Sequence, residues 1–411
     1  METVPGPGPE NAPVTDSPRP PEQAPPGSGR SGHRRGGIGL VTPAAVGRGV
    51  LLVAIGLSSM AVGLLGWATA AWITKASVAG TAVRYDTAWY YRISQLGYLH
   101  RVPTSATDVP GLRVAFFPGL PLVERVVHHL IGGGPAHTTV LVGAAGLVVS
   151  CLALWSLVSR DWNPGIAWRS VALLAFFPGA YVFPMAYSEA MAIPLAICTL
   201  WALRRRWLVV AGITAGLAGT VRLLSIMLIA ACLVAAIREL RDPGRSTGAI
   251  GRAIACPVLA ALGIVGYMAY LKSTTGSFLA FNTAEKLGWQ NRISWLAPFH
   301  DLHLFFQYGF HAAPFVIING LGVVAVAAAI VLVVGVSMPL EYKVFAVGIL
   351  AAWLFSTNSG AWMRFIEFAF PVLIAVAVKV PGRILYPTIG VCGAVLGILY
   401  VLFGSSIAFS P

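Results

Sequence analysis

Charge is what this sequence has least of. Only 10% of its 411 residues are Asp, Glu, Lys or Arg, while 57% are hydrophobic. Soluble domains carry roughly 25% charged and 45–50% apolar residues, so the composition argues against a soluble fold. Other absences narrow the chemistry. No G-x-x-x-x-G-K-[ST] segment occurs, which excludes a P-loop ATPase, and there is no H-E-x-x-H. Nor is there an Asp-x-Asp pair of the kind that holds a metal with a nucleotide sugar. The five cysteines, Cys151, Cys198, Cys232, Cys256 and Cys392, form no C-x-x-C pair, are odd in number and all fall within apolar runs. They read as small core residues rather than disulfides or a zinc site.

What is abundant is long apolar runs. Runs of about 20 residues recur along almost the whole length, each enough to cross a bilayer as a helix. The expectation is an all-α polytopic membrane protein with about 11 transmembrane helices. Residues 1–36 are rich in Pro, Gly, Ser and Arg with almost no apolar content, which predicts a disordered tail over 1–45 ahead of a membrane domain over 46–411. The run from about Val46 to Ile73 exceeds the ~7–15 residues of a cleavable signal core and reads as an uncleaved first span. Arg30, Arg34, Arg35 and Arg48 then place the N-terminus in the cytoplasm.

The net charge of +13 does not call for nucleic acid, because much of it lies in short loops between apolar runs. Arg160-Asp161, Arg204-Arg205-Arg206 and the Arg238–Arg252 loop mark the cytoplasmic side. About 31 residues separate Arg206 from Arg238, enough for two short crossings at ~1.5 Å per residue, so Arg222 belongs at the outer turn of a hairpin. The main extracytoplasmic loops are then 75–135 and 272–311. Within the first, Phe116-Phe117-Pro118 and the apolar positions Leu120, Leu122, Val126 and Val127 predict a short helix lying in the interface. Its many basic residues, Lys75, Arg84, Arg92, Arg101, Arg113 and Arg125, suit an anionic ligand.

This topology gathers Asp86, Glu189, Arg222, the Glu285–Arg292 segment and Arg364 on the outer face. Asp86 is the most telling of them. It is a lone acid among aromatics at a membrane exit, where carboxylates are costly and usually have a job. The plainer alternative is that it pairs with Arg84 or Arg92 and anchors the loop. Glu189 could simply stabilise a helix N-terminus, or it could hold a hydroxyl or orient an arginine. His100 and His300 read as structural, and Trp89, Tyr90, Tyr91, Trp289 and Trp295 as an interfacial belt or a groove lining.

The order of several segments resembles the PIG-V-like mannosyltransferases, membrane glycosyltransferases of the GT-C class that use lipid-phosphate sugar donors. The resemblance starts with Tyr85-Asp86, Trp89-Tyr90, Ile93 and Gly97-Tyr98. It continues through Phe116-Phe117-Pro118-Gly119-Leu120-Pro121, Tyr187-Ser188-Glu189 and Val221-Arg222. Thr275–Phe281 with Trp289 and Pro298 follows, then Ser359 and Arg364-Phe365 before Phe370-Pro371. These fragments span residues 84 to 371. Each is weak alone; their order is the specific signal. Tyr85 stands where the family often has Trp, so an aromatic is kept.

The resemblance implies a GT-C-type bundle whose large first extracytoplasmic loop contains interfacial helices. It implies transfer of mannose from polyprenyl-phosphate mannose to a lipid-linked or cell-envelope acceptor at the outer face of a plasma membrane, without metal or cofactor. Asp86 would be the general base that takes the acceptor's proton. Arg222 and Arg364 would hold the leaving phosphate, unless they are snorkelling anchors, with Arg84 and Lys286 as weaker candidates. Glu189, Tyr85 and Trp89 would complete the substrate site. A transporter or lipid flippase is the rival reading. It predicts midplane ionisable residues and inverted repeats, and neither is evident.

Overall fold

Prolines mark where the apolar runs become separate helices. The missing amide of proline costs nothing at the first helical position, and Pro43, Pro135, Pro164, Pro314 and Pro371 each open a helix. The computed structural model describes residues 43–405 except 245, 312, 358 and 359. The expected disordered tail up to residue 42, and Ser359, lie outside the described residues.

The chain begins with α1 (Pro43–Thr74), then α2 (Val78–Ala82), α3 (Asp86–Leu96), α4 (Val109–Leu112) and α5 (Gly119–Ile131). Next come α6 (Pro135–Asp161), α7 (Pro164–Phe176), α8 (Ser188–Arg204), α9 (Leu208–Gly219), α10 (Ile226–Leu240) and α11 (Thr247–Thr275). After α12 (Ala280–Trp289) and α13 (Ala297–Tyr308) follow α14 (Pro314–Gly335), α15 (Leu340–Leu354), α16 (Trp362–Phe368), α17 (Pro371–Lys379) and α18 (Gly382–Gly404). Among the described residues the only β pairing is an isolated antiparallel bridge between Ile293 and Ser356.

Each expected crossing has a helical counterpart, but among the described residues only six helices are long and apolar enough to span alone: α1, α6, α10 with its lead-in from Leu223, α11, α14 and α18. The others are shorter because their runs break. The run after α7 tightens into a 3₁₀ turn over Pro178–Val182, and the run before Lys379 divides between α16 and α17. The hairpin expected around Arg222 is present, with α9 ending at Gly219 and α10 resuming after a short 3₁₀ turn, Leu223–Ser225.

Small residues let the helices around this hairpin approach closely. A Cβ placed on Gly216 of α9 would strike the carbonyl of Leu259, and one on Gly263 of α11 would strike the carbonyl of Gly216. Close backbone approach of this kind is how apolar helices associate where lipid removes the hydrophobic drive. At the helix ends far from residues 188 and 222, polar pairs tie the bundle. Arg204 reaches Asp161 at 3.0 Å, Tyr342 donates to Asp161 at 2.6 Å, and Arg238 meets the buried Glu341 at 2.6 Å.

The first loop differs in detail from the sequence expectation. Phe116 is extended rather than helical, and α5 begins only at Gly119, bent by 108° from α4 and the turn that follows it. Leu122, Val126 and Leu130 form its exposed stripe, as an interfacial helix requires, while Leu120 faces inward with Glu124. Phe116 and Phe117 are core residues.

Candidate active site

Three site segments each start from a strained residue. Tyr85 (φ 53°), Ala186 (φ 44°) and Ala361 (φ 57°) have positive φ although none is glycine. Such a conformation costs on the order of 1–3 kcal/mol and persists only where packing enforces it. Tyr85 launches α3 so that Asp86 is its first residue. Ala186 precedes Tyr187-Ser188-Glu189 at the start of α8. Ala361 caps α16, which carries Arg364 in its first turn.

The three segments and the hairpin break converge on one alternating array. Arg364 Nη1 donates to Asp86 Oδ2 at 3.0 Å, and its Nε lies 3.4 Å from Glu189 Oε1. Arg222 Nη1 lies 2.5 Å from the same Glu189 oxygen and donates to Ser188 Oγ at 3.0 Å. The Ser188 hydroxyl donates in turn to Glu189 Oε2 at 3.1 Å. Two carboxylates and two guanidiniums thus balance in charge, which is what burial beside lipid demands.

Exposure divides their roles. Glu189 is fully buried (0%), whereas the side chains of Asp86, Arg364 and Arg222 are 26%, 18% and 13% exposed. Glu189 is the internal counterion that keeps both arginines in place, and Asp86 is the carboxylate presented outward. Among the described residues, Asp86 Oδ1 and the Nη2 of each arginine have no hydrogen-bond partner. Those three atoms are what the array can offer a ligand. Phe365 lies between the cations, 5.3 Å from Arg222 and 5.7 Å from Arg364, and Tyr187 sits 5.6 Å from Arg364. Such faces hold a guanidinium without consuming its donors.

The hairpin break is fixed by α5. Gly119 N donates to Thr220 O at 2.8 Å, and a Cβ at Gly119 would lie 2.7 Å from Thr220 Oγ1. Only glycine permits this approach, which holds the turn at Thr220-Val221 from which Arg222 emerges extended. On the other side, Thr87 Oγ1 donates to Met185 O at 2.5 Å and ties the first turn of α3 to the segment before α8.

The other expected site residues divide. Trp89 joins a wall, stacked on Phe116 at 5.3 Å and edge-on to Trp289 at 5.7 Å. Tyr85 points its hydroxyl at the Phe403 carbonyl, 3.4 Å away, and so packs toward α18. Arg84 donates to the Gly80 carbonyl at 3.4 Å and is not part of the array. The ion pair of Asp86 is with Arg364, not with Arg84 or Arg92. Trp295 is exposed against Phe355.

Two features go beyond the sequence reading, which placed the Glu285–Arg292 segment on the outer face without giving Glu285 a role. Glu285, on α12, is half-buried; burial raises its carboxyl above the usual range, reinforced by the charge of Asp86 and opposed by a hydrogen bond from Asn291 and by the charges of Arg222 and Arg364. A cavity of about 640 Å³ opens between α3, α5 and α11, lined chiefly by Tyr98, Pro118, Arg125, Gly266, Tyr267 and Tyr270. It reaches Thr220, two residues from Arg222, but includes neither Asp86 nor Arg364.

No family model and no curated protein matches this chain. Among solved structures, the chain is similar to ArnT from Cupriavidus metallidurans bound to undecaprenyl phosphate, at 17% identity and a TM-score of 0.52, over 84% of this chain and 63% of that one. The apo state of ArnT gives 18% identity and a TM-score of 0.50, over 85% and 62%. The chain therefore spans less than two thirds of ArnT, and the likeness is one of fold: a GT-C-type membrane bundle.

Proposed function

We propose that the protein is an integral membrane glycosyltransferase that moves mannose from polyprenyl-phosphate mannose to a lipid-linked or cell-envelope acceptor. The reaction takes place at the extracytoplasmic face of a plasma membrane, with Asp86 as general base. The observation that supports this most is the Asp86–Arg364–Glu189–Arg222 array, in which an outward carboxylate stands beside arginines with donors to spare. The fold it shares with ArnT, whose solved complex holds undecaprenyl phosphate, makes a lipid phosphate the natural partner for those donors.

The chemistry follows from the free atoms. The acceptor hydroxyl attacks the anomeric carbon as the bond from that carbon to the phosphate oxygen breaks, and the phosphate leaves with the electron pair. Asp86 Oδ1 takes the hydroxyl proton. Nη2 of Arg364 and of Arg222 stabilise the charge growing on the leaving phosphate, as guanidinium donors do well. Attack opposite the leaving group inverts the anomeric centre. Arg364 also orients Asp86 by holding Oδ2, leaving one oxygen for the substrate. The cavity beside Thr220, apolar with Arg125 on its wall, accommodates the first isoprenes of the carrier.

The test is transfer of labelled mannose from polyprenyl-phosphate mannose by the purified protein and by Asp86→Asn. A positioned base contributes roughly 10²–10⁴-fold, and a loss in that range is expected. Equal rates would remove Asp86 from the chemistry. Donors carrying other hexoses, assayed in parallel, decide the sugar.

A further inference from the structure

Helix α12 packs against α4, α11 and the 3₁₀ turn Arg113–Ala115 that leads to Phe116, and one stripe of it meets the aromatic wall. Phe281, Glu285 and Trp289 are spaced by four residues and so lie along one side of the helix. Both aromatic ends of the stripe are anchored in the wall. Phe281 packs edge-on against Phe117 at 5.4 Å, and Trp289 packs against Phe116 at 5.4 Å and Trp89 at 5.7 Å. Trp89 stands one turn after Asp86 on α3. Glu285, between the two anchors, lies on the same side of α12 and is near enough to Asp86, Arg222 and Arg364 for their charges to act on it.

The Glu285 carboxylate is held but not neutralised. Asn291 Nδ2 donates to Oε2 at 3.3 Å, and Asn291 Oδ1 accepts from Ser356 Oγ at 2.8 Å. The strand-like clip of Arg292 and Ser294 onto Thr357 and Phe355 fixes this link just before α16. Among the described residues Glu285 forms no ion pair, and its Oε1 accepts no hydrogen bond. The site arginines are already engaged by Asp86 and Glu189, so Glu285 is not needed to balance them. A carboxylate positioned this carefully, with one oxygen open beside an aromatic wall, suits a ligand that is rich in hydroxyls.

We propose that Glu285 is a specificity-determining residue whose free Oε1 accepts a hydrogen bond from one hydroxyl of a pyranose in the site, next to the Trp89–Trp289 wall. This rests on the glycosyltransferase reading above and adds a residue that reads the sugar.

The experiment measures kcat/KM for wild type, Glu285→Ala and Glu285→Gln. One arm uses polyprenyl-phosphate mannose and its monodeoxy analogues as donors; the other uses octyl mannoside and its monodeoxy analogues as acceptors. Wild type is expected to disfavour one deoxy compound by about 10- to 100-fold, the worth of a hydrogen bond to a charged group. Glu285→Ala should lose that much on the parent compound and nothing further on that single analogue. The arm in which this occurs identifies whether donor or acceptor is read. Glu285→Gln keeps the Asn291 contact, should show reduced discrimination at the same hydroxyl, and covers the case of a poorly folding alanine variant. An equal loss on every analogue, or no loss at all, overturns the role of Glu285 alone. No transfer by wild type from any donor overturns the glycosyltransferase reading and this inference with it.

Discussion

Glu189 and Asp86 are both carboxylates paired with Arg364, yet removing their charges should have different consequences. Glu189 is fully buried and shared by two guanidiniums. Taking one partner from a buried pair leaves uncompensated charge and costs about 3–5 kcal/mol. Glu189→Gln is therefore expected to lower the melting temperature and the yield of folded protein. Asp86, a quarter exposed, should become Asn with far less effect on stability, at most about 1 kcal/mol, while activity falls. Thermal unfolding in detergent beside the transfer assay separates the two; similar melting losses would mean that Asp86 is structural as well. The sequence singled out both acids and both arginines, but not how they pair. Arg84 and Arg92, adjacent in sequence, looked the natural partners of Asp86. Its actual partner is 278 positions away, and only tertiary packing reveals it.

At the scale of elements, apolar run length and arginine placement located the helices, because span length and charge position are local properties. The outer helices were less legible. The bend at Phe116–Pro118 depends on Gly119 docking against Thr220, a contact no periodicity records. This contact carries a prediction. Gly119→Val places a branched side chain against Thr220 and Val221, and overpacking of this kind costs about 1–3 kcal/mol. Because the displaced residues lead directly into Arg222, activity should fall by more than stability alone explains. A transfer assay at a temperature where the variant remains folded checks this, and normal activity there would show that the Gly119–Thr220 contact does not position Arg222. The α9–α11 contact gives a contrasting case. Gly216→Leu should impair assembly itself, seen as aggregation on size exclusion, since Gly216 meets the backbone of α11 directly.

At the scale of the whole molecule, polar side chains at one set of helix ends form the array, and those at the other set hold the bundle shut. The cavity beside α11 reaches Thr220, in the hairpin break that carries Arg222. Gly266 lines it and has open space where a side chain would be, so the wall there is bare backbone. A large residue at this point should obstruct the cavity without disturbing any packed contact. If the groove holds the isoprenoid chain of the carrier, Gly266→Trp should raise KM for a long-chain polyprenyl-phosphate donor by about tenfold or more, the equivalent of roughly two lost methylene burials. A donor with a single short prenyl unit, too short to fill the groove, should be used almost as well by the variant as by wild type. Equal penalties on both donors would place the carrier chain elsewhere and leave this cavity to another occupant. The comparison reads chain length, not chemistry, so it tests the groove separately from Asp86 and the arginines.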